Sequence, residues 1–144
     1  MMISTKGRYA LRVMVDIATY SNGQYLSLRD VAERQEISMK YLESIVAALC
    51  RQELLESLRG KLGGYRLSKP LEDYTLGQIL KATEGTMAPV ACLAEPGACK
   101  NGEHCPSLPV WQELDRIIDE YLESVSLVSV LERGGAGMCD LKKG

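Results

Sequence analysis

Three observations predict a mainly α fold with one β-hairpin for this 144-residue chain. Residues 6–49 carry apolar side chains at helical spacing in three successive segments. A glycine-rich stretch, RGKLGG over 59–64, then separates two short apolar runs. Beyond Pro109 a broad apolar stripe recurs every three or four residues. Together they predict a winged helix-turn-helix unit with a β-hairpin wing, followed by a long C-terminal helix suited to dimerisation.

The first helix runs from Lys6 to Tyr20, with Ala10, Val13, Met14, Ile17 and Ala18 on one stripe. Ser21-Asn22-Gly23 ends it. Ser27 is placed to cap a second helix, with Asp30 in its first turn and Leu28, Val31 and Ala32 facing inward. Residues 35–38, Gln-Glu-Ile-Ser, make a tight connection, and Ser38 caps a third helix with Leu42, Ile45, Val46 and Leu49 inside. Two short helices joined this closely make the second a candidate recognition helix. Ser38, Met39, Lys40, Tyr41, Glu43 and Ser44 lie at its start or outward positions. These are side chains able to reach phosphates or base edges.

Leu54–Leu58 and Tyr65–Ser68 read as two strands. Glycine at the tip permits backbone conformations that other residues avoid. Arg59, Gly60 and Lys61 then form a cationic wing tip fit for phosphates or a narrow minor groove. Pro70 closes the hairpin, and Thr75 with Gln78 makes a capping box for a helix through Ile79, Leu80 and Ala82. The last helix starts near Pro109, with Trp111, Leu114, Ile118, Tyr121, Val125 and Val128 on a heptad seam widened by Ile117 and Leu122. The expected organisation is a DNA-binding unit over 1–85, a cysteine-rich loop over 86–107, a dimerisation helix over 108–131 and a flexible tail over 132–144.

The net charge of −2 is unevenly spread. Residues 1–69 hold 11 Lys and Arg against 7 Asp and Glu, a net of +4; residues 70–144 hold 6 against 12, a net of −6. A basic front half on an acidic back half suits a DNA-contacting module joined to a different one. The start of the chain has no signal-peptide pattern, and no apolar run of about 18 residues exists. A cytoplasmic location with reduced thiols is expected.

Cys92, Cys99 and Cys105 fall in CLAEPGACKNGEHC, a stretch rich in turn formers. Thiols on accessible irregular backbone suggest a metal or an iron–sulfur cluster. A structural zinc site and a simple thiol redox site are the alternatives. Cys50, next to the core face of the third helix, reads as a packed thiol, and Cys139 as a free one. No CxxC, no nucleotide-binding loop and no nucleophile beside a base is visible, so an enzyme is not expected.

The segments STKGRYALRVMVDIA, ISMKYLESIVAALCRQELLES and RGKLGGYRLSK, with three cysteines before a long helix, resemble the IscR-like iron–sulfur regulators of the Rrf2 winged-helix family. The resemblance covers roughly residues 1–130. It implies a homodimeric transcription factor, often a repressor of cluster-assembly or sulfur-metabolism genes, bound to double-stranded operator DNA. It also implies a cluster held by Cys92, Cys99 and Cys105, 2Fe–2S ahead of 4Fe–4S. The family's histidine three residues after the last cysteine is replaced here by Leu108. The fourth ligand is therefore open among His104, Glu95, Glu103, Cys139 and a group of a second subunit, with His104 the first choice. Six and five residues separate the cysteines, where the family pattern has five and five. Glu43 matches an acidic position that in the family helps choose between two operator classes.

Overall fold

The computed structural model describes residues 3–95, 97 and 104–134. Helix α1 (Thr5–Tyr20) is capped by Ser4, whose hydroxyl accepts from the Gly7 amide. It ends at Ser21, before Asn22 and Gly23 turn the chain with positive φ. Helix α2 (Leu28–Gln35) and helix α3 (Met39–Arg51) are capped by Ser27 and Ser38, as their sequences predict. Glu36 takes the left-handed conformation (φ 54°) that makes the turn between them tight. Strands β1 (Leu55–Leu58) and β2 (Gly64–Leu67) pair antiparallel, Leu55 opposite Leu67 and Leu58 opposite Gly64. A 3-10 turn (Leu71–Asp73) leads into α4 (Leu76–Glu84), which carries the expected Thr75–Gln78 capping box. Beyond lie α5 (Ala91–Ala94), α6 (Leu108–Ser124) and α7 (Leu127–Gly134).

The apolar stripes meet in one core. Val13, Met14 and Ile17 from α1, Val31 from α2, Leu42, Ile45 and Leu49 from α3, Ile79 from α4 and Leu127 from α7 are all fully buried. Each such side chain stabilises the fold by about 1.5–3 kcal/mol. A smaller cluster of Leu80, Met87 and Leu122, with Ile3, Leu76 and Ile118 around it, packs α6 onto α4.

The C-terminal region departs from the sequence reading. The single helix expected over 108–131 is two helices, broken at Val125, which is extended (φ −92°, ψ 111°). The physical reason is a strand-like bridge. The Leu76 amide donates to the Val125 carbonyl at 2.8 Å, and the Leu127 amide to the Tyr74 carbonyl at 3.0 Å. The Ser126 hydroxyl then accepts from the Ser129 amide and restarts the helix. Val125 and Leu127 are therefore buried and cannot continue an outer seam. Residues 132–134, expected in the tail, complete α7, and the rest of that tail lies outside the described residues. The exposed apolar stripe on α6 is Val110, Leu114, Ile117 and Tyr121, at 60, 39, 49 and 55 % exposure. Ile118 and Leu122 face the domain instead.

Candidate nucleic-acid interface and thiol segment

Helix α3, the candidate recognition helix, presents its polar face because its apolar residues are committed to the core. Ser38, Met39, Lys40, Glu43 and Ser44 are exposed. The Ser38 hydroxyl accepts from the Tyr41 amide, leaving its own proton to donate outward. The Ser44 hydroxyl instead donates to the Tyr41 carbonyl at 2.7 Å, so outward it offers only acceptor capacity. Tyr41, placed outward by the sequence reading, is half-buried: its ring meets Tyr9 of α1 edge-on, centroids 5.9 Å apart. A flat ring at the helix edge covers apolar surface that no smaller side chain would reach.

The wing is held at two places. Leu26, just before α2, exchanges two backbone hydrogen bonds with Tyr65 (2.8 and 2.9 Å), so β2 is anchored to the helix-turn-helix. Gly64 is required there. Its φ is +152°, and a Cβ would collide with the Leu26 backbone. At the wing base the buried Tyr74 hydroxyl donates to the Leu54 carbonyl at 2.7 Å and accepts from the Ser68 amide at 2.9 Å. At the tip Arg59, Gly60 and Lys61 are exposed, and the Gly63 amide closes the turn onto the Gly60 carbonyl at 3.0 Å. Neither Arg59 nor Lys61 has an ion-pair partner among the described residues, so both charges remain available. Arg66, by contrast, is spent on Glu56 at 3.0 Å and stacked on Tyr25. Sequence reasoning passed over Leu62, 89 % exposed at the tip, and its signal was an apolar residue between a cation and two glycines. An apolar side chain in that position suits contact with a groove wall or a base step.

The cysteine segment is less irregular than its composition suggests. Cys92 lies half-buried on the short helix α5, where the sequence reading placed loop. Leu93 of the same helix lines a cleft of about 210 Å³ with Ile118 and Asp119 of α6. Cys105 lies half-buried just before α6, its Sγ 3.1 Å from the Ser107 hydroxyl. That hydrogen bond holds the Cys105 thiol below its ordinary range, toward the thiolate. His104 and Glu95 are exposed. Cys99, Glu103 and Cys139 lie outside the described residues, and among those described no three donors form a metal cluster. In donor chemistry the segment suits a soft metal: two thiols, one biased to its ligating form. Cys50, at the end of α3, is a half-buried thiol pushed up by burial, which disfavours its thiolate.

A family model described as Rrf2, iron-dependent transcriptional regulator, matches residues 3–133. The chain belongs to the Rrf2 family. It is 33 % identical over 131 residues to the HTH-type transcriptional regulator IscR of Erwinia tasmaniensis, covering 91 % of this chain and 79 % of that one. Among solved structures, T. potens IscR superposes with a TM-score of 0.74 at 30 % identity, over 95 % of this chain and 90 % of its own. CymR, the global cysteine regulator of B. subtilis, gives 0.73 at 29 % identity, over 92 % and 98 %. This Rrf2 protein is accordingly a DNA-binding, winged-helix transcriptional regulator and not an enzyme, as its sequence predicts. No helix among its described residues is long and apolar enough to cross a membrane.

Proposed function

We propose that this Rrf2 protein is a cytoplasmic, homodimeric repressor whose operator affinity is set by an iron–sulfur cluster on Cys92, Cys99 and Cys105. The observation that carries this reading is the position of the two described thiols. Cys92 and Cys105 both lie within the connection between α4, which packs on α1 and α3, and α6, whose outer stripe is exposed among the described residues. Cys92, Cys99 and Cys105 would hold the cluster, which would supply redox- and iron-sensitive ligation to that connection. The chain's own residues do the rest. Val110, Leu114, Ile117 and Tyr121 offer a second protomer an apolar seam. Leu127 and Val125 tie the far end of α6 to the Tyr74–Leu76 backbone, and Tyr74 ties that backbone to the wing base. Ser38, Met39, Lys40, Tyr41, Glu43 and Ser44 contact a major groove, and Arg59, Gly60 and Lys61 the backbone or minor groove beside it. A carboxylate at Glu43 accepts from cytosine amino groups and repels phosphate, so it filters sequences. The genes controlled are of the cluster-assembly or sulfur-metabolism class. A 2Fe–2S centre is the cluster type proposed, with His104 as its fourth ligand.

The test is oxygen-free reconstitution with iron and sulfide, followed by an absorption spectrum, iron and sulfide counts, and binding of promoter duplexes with and without cluster. Brown protein and different affinities of the two forms are expected. A colourless, iron-free product, with triple Cys→Ser replacement leaving promoter control intact in cells, overturns cluster sensing.

A second reading keeps the DNA reader and makes the thiols themselves the sensor. The lowered Cys105 thiol favours it, as does the likeness to CymR, one of whose solved structures is of an oxidised form from Staphylococcus aureus. Zinc in the same segment would give a colourless but metal-loaded protein. Metal analysis beside thiol counting separates these two from a cluster.

A further inference from the structure

The recognition helix is braced from α1 by a chain of side chains that begins at a buried charge. Asp16 is fully buried on α1. Its carboxylate accepts from Arg34 Nε and an Arg34 terminal nitrogen (2.9 and 2.7 Å) and from Gln35 Nε2 (2.8 Å), all at the end of α2. A buried carboxylate satisfied three times over is a fixed point, because releasing any partner strands charge in a low-dielectric interior. Gln35 passes the constraint on. Its side-chain oxygen accepts from Arg12 Nε at 3.0 Å, and its carbonyl from an Arg12 terminal nitrogen at 3.3 Å. The guanidinium so oriented lies over the Tyr9 ring, 4.7 Å from its centroid. Tyr9 in turn stands edge-on to Tyr41, the planes at 87°. Each contact has the geometry that its chemistry favours, cation over ring face and then ring edge to ring face.

We propose that Tyr9 and Arg12 are positioning residues for DNA recognition, holding the Tyr41 ring at the α3 edge in the orientation it uses against the operator. The proposal rests on the reading of α3 as the recognition helix. Its physical content is preorganisation: a ring fixed before binding does not lose rotamer freedom on binding. Arg12 is already engaged by Gln35 and by the Tyr9 ring, so its role here is to fix geometry. Because only ring edges and faces meet, the Tyr9 hydroxyl is dispensable to the brace.

The experiment is a double-mutant cycle on binding. The specific probe is a duplex that the wild-type protein has selected from a random-sequence library; the control is a random duplex. Tyr9→Phe is expected to bind both as wild type does. Tyr9→Leu and Arg12→Met are each expected to bind the selected duplex about fivefold or more weakly, with the random duplex unchanged. In a Tyr41→Ala background neither is expected to cost anything further. Should Tyr9→Leu fail to fold, Arg12→Met, at a half-exposed position, decides by the same cycle. Wild-type affinity in both variants, or losses that add to that of Tyr41→Ala, overturn the brace while leaving α3 as the reader. If Tyr41→Ala, Lys40→Ala and Arg59→Ala all bind the selected duplex normally, the reading of α3 and the wing falls, and the brace with it.

Discussion

The Tyr74 hydroxyl reaches 2.7 Å from the Leu54 carbonyl, across 20 residues of sequence, and accepts the Ser68 amide on its other side. One phenol thus closes the base of both wing strands while its own backbone carbonyl takes the Leu127 amide. The wing and the C-terminal helices are fastened to the same residue. Tyr74→Phe leaves a buried carbonyl and a part-buried amide short of a partner, at a cost of about 1–3 kcal/mol. Chemical denaturation is expected to show that loss, and hydrogen exchange to show it concentrated at the Ser68 amide. Unchanged protection there would mean that the wing base is held by its strand pairing alone.

Glycine substitutions at two helix and wing contacts are expected to rank by what a Cβ meets. At Gly64 it meets the Leu26 backbone at positive φ, so Gly64→Ala costs about 1–3 kcal/mol and loosens the wing. At Gly77 it meets the Glu123 carboxylate, a movable group held by Thr75 Oγ1 and Lys81 Nζ at 3.0 Å each. Gly77→Ala costs less, about 1 kcal/mol or under, as that carboxylate swings away. Thermal melting of the pair gives the order, and the reverse order would contradict the packing described.

Charge removal separates buried from surface pairs. Asp16→Ala strands the Arg34 guanidinium and Gln35 amide, and costs about 3–5 kcal/mol. Asp119→Ala breaks an exposed bridge to Lys81, 2.5 Å long but with both side chains at 40 % exposure or more, and costs about 0.2–1 kcal/mol. Raised salt is expected to narrow the second difference and leave the first.

Thiol reactivity is expected to follow environment. The Ser107 hydrogen bond lowers the Cys105 thiol, while burial raises Cys50. In metal-free protein the alkylation rate at each rises with pH as thiolate forms, and the rise at Cys105 comes at lower pH than at Cys50. Ser107→Ala moves the Cys105 curve to higher pH. Iodoacetamide labelling followed by mass spectrometry reads both, and simultaneous labelling of the two sites would refute the difference.

The two faces of α6 are expected to fail differently. Ile117, 49 % exposed on the outer stripe, is expected to tolerate Asp in the folded protomer but to break the proposed dimer, so that light scattering reports half the wild-type mass. Leu122, 6 % exposed against Leu80 and Met87, does not tolerate Asp, and the protomer itself is expected to melt at lower temperature.

The sequence alone determined what depends on neighbours along the chain. Ser27, Ser38 and Thr75 cap their helices because a cap needs only the next two or three amides. The wing was legible in RGKLGG because turn geometry is a local property of glycine. The stripes of α1 and α3 were legible because helical periodicity sorts side chains before any partner is chosen. Tertiary structure decided the rest. The break after Ser124 follows from pairing of residues 125–127 with residues 74–76, and the heptad count ran through it because Val125 and Val128 suit either arrangement. The local trace of the break was Ser126, a helix-capping residue three before Ser129. Tyr41 is half-buried at the α3 edge because Tyr9, 32 positions earlier, packs against its ring. Asp16 looked like one more charge in a helix, and only the approach of α2 made it the centre of a buried ion-pair network. Periodicity and capping are written in adjacent residues, whereas a buried ion pair or a strand bridge exists only once distant segments have been brought together and water has been excluded.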